Sequence, residues 1–271
     1  DEIKKQKKIF SIPFFSLNKS ITGESTGSKI NRISQYLRKK KTDYIFISAP
    51  ENIAWILNIR GSDSPNSPVP NSRLIINKTK KILLISKIER CKNLFKNKIL
   101  KKSQFLDIDK LQNEILKLNG KSFIIDDKSC SIFYENLINS KFKIVSKEDP
   151  IYFLKSIKNK IEIKNMKSAH IKDGVALTKF LYWIKQKENF GFDELSLEKK
   201  LETFRKKDKD YIYPSFNTIA GSGPNSAIIH YRSSKKTNRK IKKNDIFLCD
   251  SGGQYKYGTT DVTRTVCFQK P

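Results

Sequence analysis

Within residues 28–41 the apolar side chains Ile30, Ile33 and Leu37 recur at three- and four-residue spacing, the period of a helix that buries one face. Residues 43–48 (DYIFIS) read as a strand and 51–58 (ENIAWILN) as a short helix, followed by a loop over 62–71 that holds three prolines. Two further strand-like runs, 73–77 and 81–86, flank a turn at 77–80. A helix is predicted over 109–118, a strand over 122–126, a helix over 132–138 and a strand over 142–145. Alternating helices and strands imply an α/β domain with a mixed sheet over 27–150. Residues 1–26, basic at first and then rich in Ser, Thr and Gly, read as a linker.

The texture changes after Asp149-Pro150. Residues 158–188 form a long helical pattern through Ile163, Met166, Ala169, Val175, Leu177, Leu181 and Ile184, with Gly174 as a point where it could break. A second helix is predicted over 194–206. Strand-like runs follow at 217–221, 227–231, 245–252 and 259–268. Helices first and strands afterwards imply an α+β domain over 151–271. The chain starts at Asp1 and stops just after its last strand-like run, so it is expected to be a piece of a longer protein with this second domain incomplete.

The formal charge of +28 first suggests a polyanion partner. The composition points elsewhere: 46 Lys stand against 9 Arg, and 36 Ile against 5 Val, a bias that A/T-rich codons explain. Sequence-reading nucleic-acid sites favour the planar, bidentate guanidinium, which is scarce here, and the lysines run along the whole chain. A solvated Lys-rich surface with no specific nucleic-acid partner is therefore expected. Cys91, Cys130, Cys249 and Cys267 show neither CxxC spacing nor a disulfide framework, so reduced, mostly buried thiols in a cytoplasmic protein are expected. No apolar run approaches the roughly 18 residues of a membrane span.

The chemistry concentrates in residues 246–265 (IFLCDSGGQYKYGTTDVTRT), two strand-like runs around a Gly- and Tyr-containing turn. A hairpin symmetric about Tyr255 and Lys256 would set Asp250 opposite Asp261. Like charges so placed repel unless a divalent cation lies between them. Two hairpin aspartates alone are more often plain turn residues. Asp250, however, ends an apolar run and needs a partner as it nears the core. His230 lies beside apolar Ile228 and Ile229, a setting more common for a packed histidine than for a catalyst, and His170 reads as a surface residue. The loop 221–225 lacks both GxGxxG and a GK[ST] ending, which excludes a nucleotide cradle.

Taken together, the segments resemble a known family. Residues 250–265 closely resemble the metal-binding hairpin of Xaa-Pro aminopeptidases of the creatinase/methionine aminopeptidase "pita-bread" superfamily, and 223–231 (GPNSAIIHY) resemble its active-site histidine segment. Residues 169–177 are similar to the first catalytic-domain helix, and 53–63 (IAWILNIRGSD) to the signature of the preceding creatinase-like domain. The resemblance implies an α/β creatinase-like domain followed by an incomplete α+β pita-bread catalytic domain. It implies two divalent metal ions, most often Mn²⁺, with Asp250 chelating one and Asp261 bridging both, the remaining His and two Glu ligands lying beyond Pro271. It gives His230 a place beside the scissile bond, in substrate binding or proton transfer. Arg60 and Trp55 would stand in a segment that, in dimeric relatives, can face the partner's active site, which makes Arg60 a substrate-binding candidate, although plain packing is the more common reading of such residues. The implied activity is removal of the N-terminal residue from peptides with Pro second, by a protein that is a homodimer when complete, whereas residues 1–271 alone are expected to be inactive. A prolidase-like dipeptidase and a non-catalytic pita-bread binding module are the alternatives.

Overall fold

The computed structural model describes residues 12–186 and 191–269. The chain divides into two compact units, Asp1–Asn159 and Lys160–Pro271.

The first unit begins with β1 (Phe15–Ser16), α1 (Lys19–Thr22), α2 (Thr26–Lys39), β2 (Tyr44–Ile47), α3 (Pro50–Leu57) and β3 (Ile59–Arg60). It continues through β4 (Arg73–Asn77), β5 (Ile82–Ser86), α4 (Ile88–Lys96), β6 (Phe105–Asp107), α5 (Leu111–Ile115), β7 (Ser122–Ile125), α6 (Ile132–Asn139), β8 (Lys143–Ser146) and α7 (Pro150–Ser156). Six strands form one mixed sheet in the order β6-β5-β4-β2-β7-β8, in which β4 runs antiparallel to β2 and β5 while the other pairs are parallel. The inner positions of the central strands are apolar, Tyr44–Ile47 of β2 and Leu74–Ile76 of β4, as suits a sheet covered on both faces. Ile45, Ile47, Leu74 and Ile76 join α2 and α3 residues in one core, and Phe46, Ile75, Phe123 and Ile125 join Leu111, Ile115 and Ile138 in the other.

Residues 14–22 do not behave as a linker. Phe14 is fully buried and β1 pairs with β3, which builds this stretch into the first unit; residues 1–11 lie outside the described residues. Likewise Pro150 opens α7 rather than a second domain. Asp149 caps that helix by accepting from the Ile151 N–H at 2.9 Å, and Ile151 is packed in the first unit's core.

The second unit comprises α8 (Lys160–Ile184), α9 (Glu194–Arg205), β9 (Tyr211–Pro214), β10 (Ile219–Ser222), β11 (Ile246–Ser251), β12 (Gly253–Tyr255), β13 (Gly258–Thr259) and β14 (Val262–Cys267). The strands form two small antiparallel sheets, β10-β11-β14 and β13-β12-β9. Leu177, Phe180 and Ile184 of α8 and Leu197 and Leu201 of α9 pack with Ala220, Phe247 and Cys249 of the sheet. Helix α8 passes Gly174 without a break. The strand expected over 227–231 is absent: Gly223–Ala227 is a 3₁₀ turn, Ile228 and Ile229 are exposed, and His230 is left-handed at φ 54°. Two consecutive isoleucines suggested a half-buried strand, but a side chain that follows them decides the local structure, as described below.

Candidate active site

Strand β11 alternates cleanly. Phe247, Cys249 and Ser251 are buried, while Ile246, Leu248 and Asp250 occupy the other face. Its register against β14 pairs Asp250 with Thr263 and Ser251 with Val262, and β12–β13 continue the same register with Tyr255 opposite Gly258. The turn is therefore Lys256-Tyr257, one residue later than a hairpin symmetric about Tyr255 and Lys256 would have it. Asp250 consequently faces Thr263, whose hydroxyl donates to Asp250 Oδ1 at 2.8 Å. Asp261 immediately precedes β14 and is exposed. Asp261 lies two residues before Thr263, just outside the paired strands.

Gly252 makes the hairpin possible at its waist. A Cβ there would lie 1.9 Å from the Thr260 carbonyl oxygen and 2.2 Å from Ser215 Oγ, so the two strands close together only over glycine.

Beneath the hairpin lies a buried ionic network that the sequence analysis did not single out. Arg205 donates to both Asp173 oxygens, from Nε at 2.7 Å and Nη2 at 3.0 Å, and Nη2 also reaches Ser251 Oγ at 3.0 Å. The Tyr255 hydroxyl donates to Asp173 Oδ1 at 2.9 Å. Burial, then the Asp173 charge, pushes the Tyr255 phenol well above its ordinary range, and burial pushes the Cys249 thiol up to about 11. The signal was present in the helical period. Ala169, Asp173, Ala176, Leu177, Phe180 and Ile184 are the buried positions of α8, and Glu194, Leu197, Leu201 and Arg205 those of α9. A charged residue at a core position marks a buried ion pair or a carboxylate saturated with hydrogen bonds.

The second of those charges, Glu194, is fully buried and accepts from the Ser222 N–H at 2.8 Å, the Tyr231 hydroxyl at 2.7 Å, the Asn225 amide at 3.0 Å and the Arg239 N–H at 3.2 Å. These donors all belong to the segment that carries His230. His230 is exposed, and Ser233 Oγ donates to the carbonyl of Ala220, the β10 residue paired with Cys249. The histidine segment is thus tied to the sheet that bears Asp250.

His170 sits exposed on α8 with Nδ1 3.0 Å from the Met166 carbonyl oxygen, an ordinary surface contact. Arg60, in the first unit, donates from Nη1 to the carbonyls of Ala54 and Ile59 at 3.0 and 2.9 Å. Among the described residues no three or more His, Cys, Asp or Glu gather as a cluster able to hold a metal ion, and no helix is long and apolar enough to cross a membrane.

Comparison with known proteins extends this picture. Residues 5–162 match the creatinase/prolidase N-terminal domain family, and residues 164–271 match metallopeptidase family M24. The chain is 37% identical over 258 residues to an Xaa-Pro aminopeptidase of Drosophila melanogaster, covering 92% of this chain and 42% of that one. It is 36% identical over 265 residues to Xaa-Pro aminopeptidase 1 of Dictyostelium discoideum, covering 95% and 42%. It therefore spans about two fifths of the length of these curated relatives. Among solved structures, the X-prolyl aminopeptidase of Caenorhabditis elegans, described as a cytosolic enzyme with a di-nuclear active site, superposes with a TM-score of 0.84 at 26% identity. That match covers 97% of this chain and 45% of the other. The prolidase of Pyrococcus horikoshii shares the fold with a TM-score of 0.69 at 22% identity, covering 90% and 66%.

Proposed function

Since the chain belongs to the creatinase/prolidase N-terminal domain family and continues into a metallopeptidase M24 segment, we propose that its whole protein is a metal-dependent aminopeptidase releasing the N-terminal residue from peptides with Pro second. The observation that supports this reading is the β11–β14 hairpin, which carries Asp250 on β11 opposite Thr263 and Asp261 at the residue just before β14. Two carboxylates so arranged are a fit for divalent cations, because hard cations take oxygen ligands and offset the like charge. Asp250 and Asp261 would hold two such ions, Mn²⁺ in this proposal. Ions bound there would supply Lewis acidity and an activated water.

The chain's own residues contribute the rest. Thr263 orients Asp250 by occupying Oδ1, which fixes the carboxylate's direction. Arg205, through Ser251, anchors the backbone beside it. His230, exposed on its loop, is assigned to hold the substrate peptide and to move a proton at the departing nitrogen. Arg60 is assigned to substrate binding from the first unit, in a protein that acts as a homodimer in the cytoplasm. The cytosolic description of the Caenorhabditis elegans relative supports that location.

In the full-length protein, Asp250→Ala and Asp261→Ala are expected to abolish Mn²⁺-dependent hydrolysis of Xaa-Pro tripeptides and to lower Mn²⁺ binding by calorimetry. His170→Ala is expected to change neither. Unaltered Mn²⁺ affinity in both aspartate variants would overturn the site, and cleavage restricted to Xaa-Pro dipeptides would replace the aminopeptidase with a dipeptidase.

A further inference from the structure

We propose that Glu194 is a positioning residue that holds the His230 loop in its working shape, an inference that rests on the role assigned to His230 above. Glu194 opens α9, with Asp193 capping the helix through the Ser196 N–H at 2.7 Å. Its carboxylate is fully removed from solvent, yet every contact it makes is with a donor. Oε1 takes the Ser222 N–H at 2.8 Å and Asn225 Nδ2 at 3.0 Å. Oε2 takes the Tyr231 hydroxyl at 2.7 Å, the Arg239 N–H at 3.2 Å and Asn225 Nδ2 at 3.2 Å. A buried charge is tolerable only when its lone pairs are so completely used.

Those donors are spread along one loop. Ser222 ends β10, Asn225 lies in the 3₁₀ turn, Tyr231 directly follows His230, and Arg239 closes the segment. The backbone completes the clasp, since the Glu194 N–H donates to the Arg239 carbonyl at 3.0 Å. Tyr231 is 5% exposed whereas its neighbour Ile229 is 85% exposed. The hydroxyl of Tyr231 pulls that ring inward, and the left-handed turn at His230 is what lets the chain reverse there. Glu194 thereby sets the direction in which His230 leaves the backbone. It does so without touching the histidine.

The change Glu194→Gln preserves shape but cannot preserve the contacts. Whichever way the new amide turns, its NH₂ faces a fixed backbone N–H, that of Ser222 or that of Arg239, and neither can become an acceptor. In the full-length protein carrying Glu194→Gln, the Ser222, Tyr231 and Arg239 amides should exchange hydrogen about tenfold faster or more (about 1.4 kcal/mol per tenfold), with β11 and β14 amides unchanged. The kcat on an Xaa-Pro tripeptide should fall at least about tenfold with Mn²⁺ affinity unaltered. Glu194→Gln should add nothing to the loss caused by His230→Ala, because both act through one side chain. Glu202→Gln, on the same helix, should be silent in each measurement. Tyr231→Phe, which keeps the ring and removes one donor, should reproduce the effect in weaker form if Glu194→Gln does not fold. Unchanged exchange, or losses from Glu194→Gln and His230→Ala that multiply independently, would overturn the proposal. If His230→Ala is fully active, the role of His230 fails and the positioning role falls with it. If His230→Ala is impaired while Glu194→Gln is normal, only the role of Glu194 fails.

Discussion

Asp149 shows how one buried carboxyl couples a helix start to pH. It is 3% exposed, and burial pushes its carboxyl up to about 6, against the Ile151 N–H and the Asn52 amide, which lower it. The Asp126 charge raises it further and Lys155 lowers it. A folded pKa above the ordinary value means that the fold favours the protonated acid. The stability it contributes is therefore complete below about pH 4 and is lost as pH rises through about 6. At about 1.4 kcal/mol per pKa unit, the first unit should lose about 3 kcal/mol over that window. Urea midpoints measured from pH 4 to 7 should show the decline, and Asp149→Asn should flatten it while an oxygen still caps Ile151. A carbon-13 carboxyl titration with Asp149 near 4 would rule this out. Thiols follow the same physics without the consequence: desolvation pushes the buried Cys91 up to about 12 and the half-buried Cys130 up to about 11, so they stay protonated across the neutral range.

At the scale of elements, Gly174 tests how far local propensity was overruled. It sits inside the 25-residue α8, and a Cβ there would meet nothing within 4 Å. Gly174→Ala should stabilise the second unit by about 0.5–1 kcal/mol, read as a shift in denaturation midpoint, since only the unfolded chain loses freedom. A loss of stability would mean that the helix does not run through this position. The sequence had marked Gly174 as a potential break, and the flanking period of Ala169, Ala176, Leu177 and Phe180 prevailed. Where apolar period was strong the elements were legible: α2, β2, β4, β5 and α9 lie within two residues of expectation. Helix α4 and strand β6 were not, because lysines and short length mask their period in the 87–108 stretch. The hairpin was legible as a hairpin but not in its register. Asp250, Asp261 and His230 were named as candidates through the family resemblance of their segments, whereas a one-residue displacement of the turn changes which residue faces Asp250. Glu194, Asp173 and Arg205 escaped because a charge at a core position looks polar until the helix around it is phased.

The molecule as a whole carries a charge of +28, and the placement of its cations decides what that charge does. Exposed lysines occur in both units, from Lys39, Lys40 and Lys41 at the end of α2 to Lys235, Lys236, Lys242 and Lys243 in the second unit. Ammonium groups scattered in this way act as hydrated point charges that favour phosphate over base edges. Two of the nine arginines are withdrawn from any surface role, Arg90 in a buried pair with Asp63 and Arg205 with Asp173. What remains is a diffuse field whose reach is set by the Debye length, about 10 Å at 0.1 M salt. Binding to DNA should therefore be purely electrostatic. Fluorescence anisotropy with labelled oligonucleotides of unrelated sequence should give equal affinities at low salt. Those affinities should fall together, by about a thousandfold or more if six or more phosphates are engaged, between 50 and 200 mM salt. A preference of more than about tenfold for one sequence that survives 200 mM salt would require base contacts. Arginines are few, so a result of that kind would assign this surface a recognition role that its lysine-rich composition does not predict.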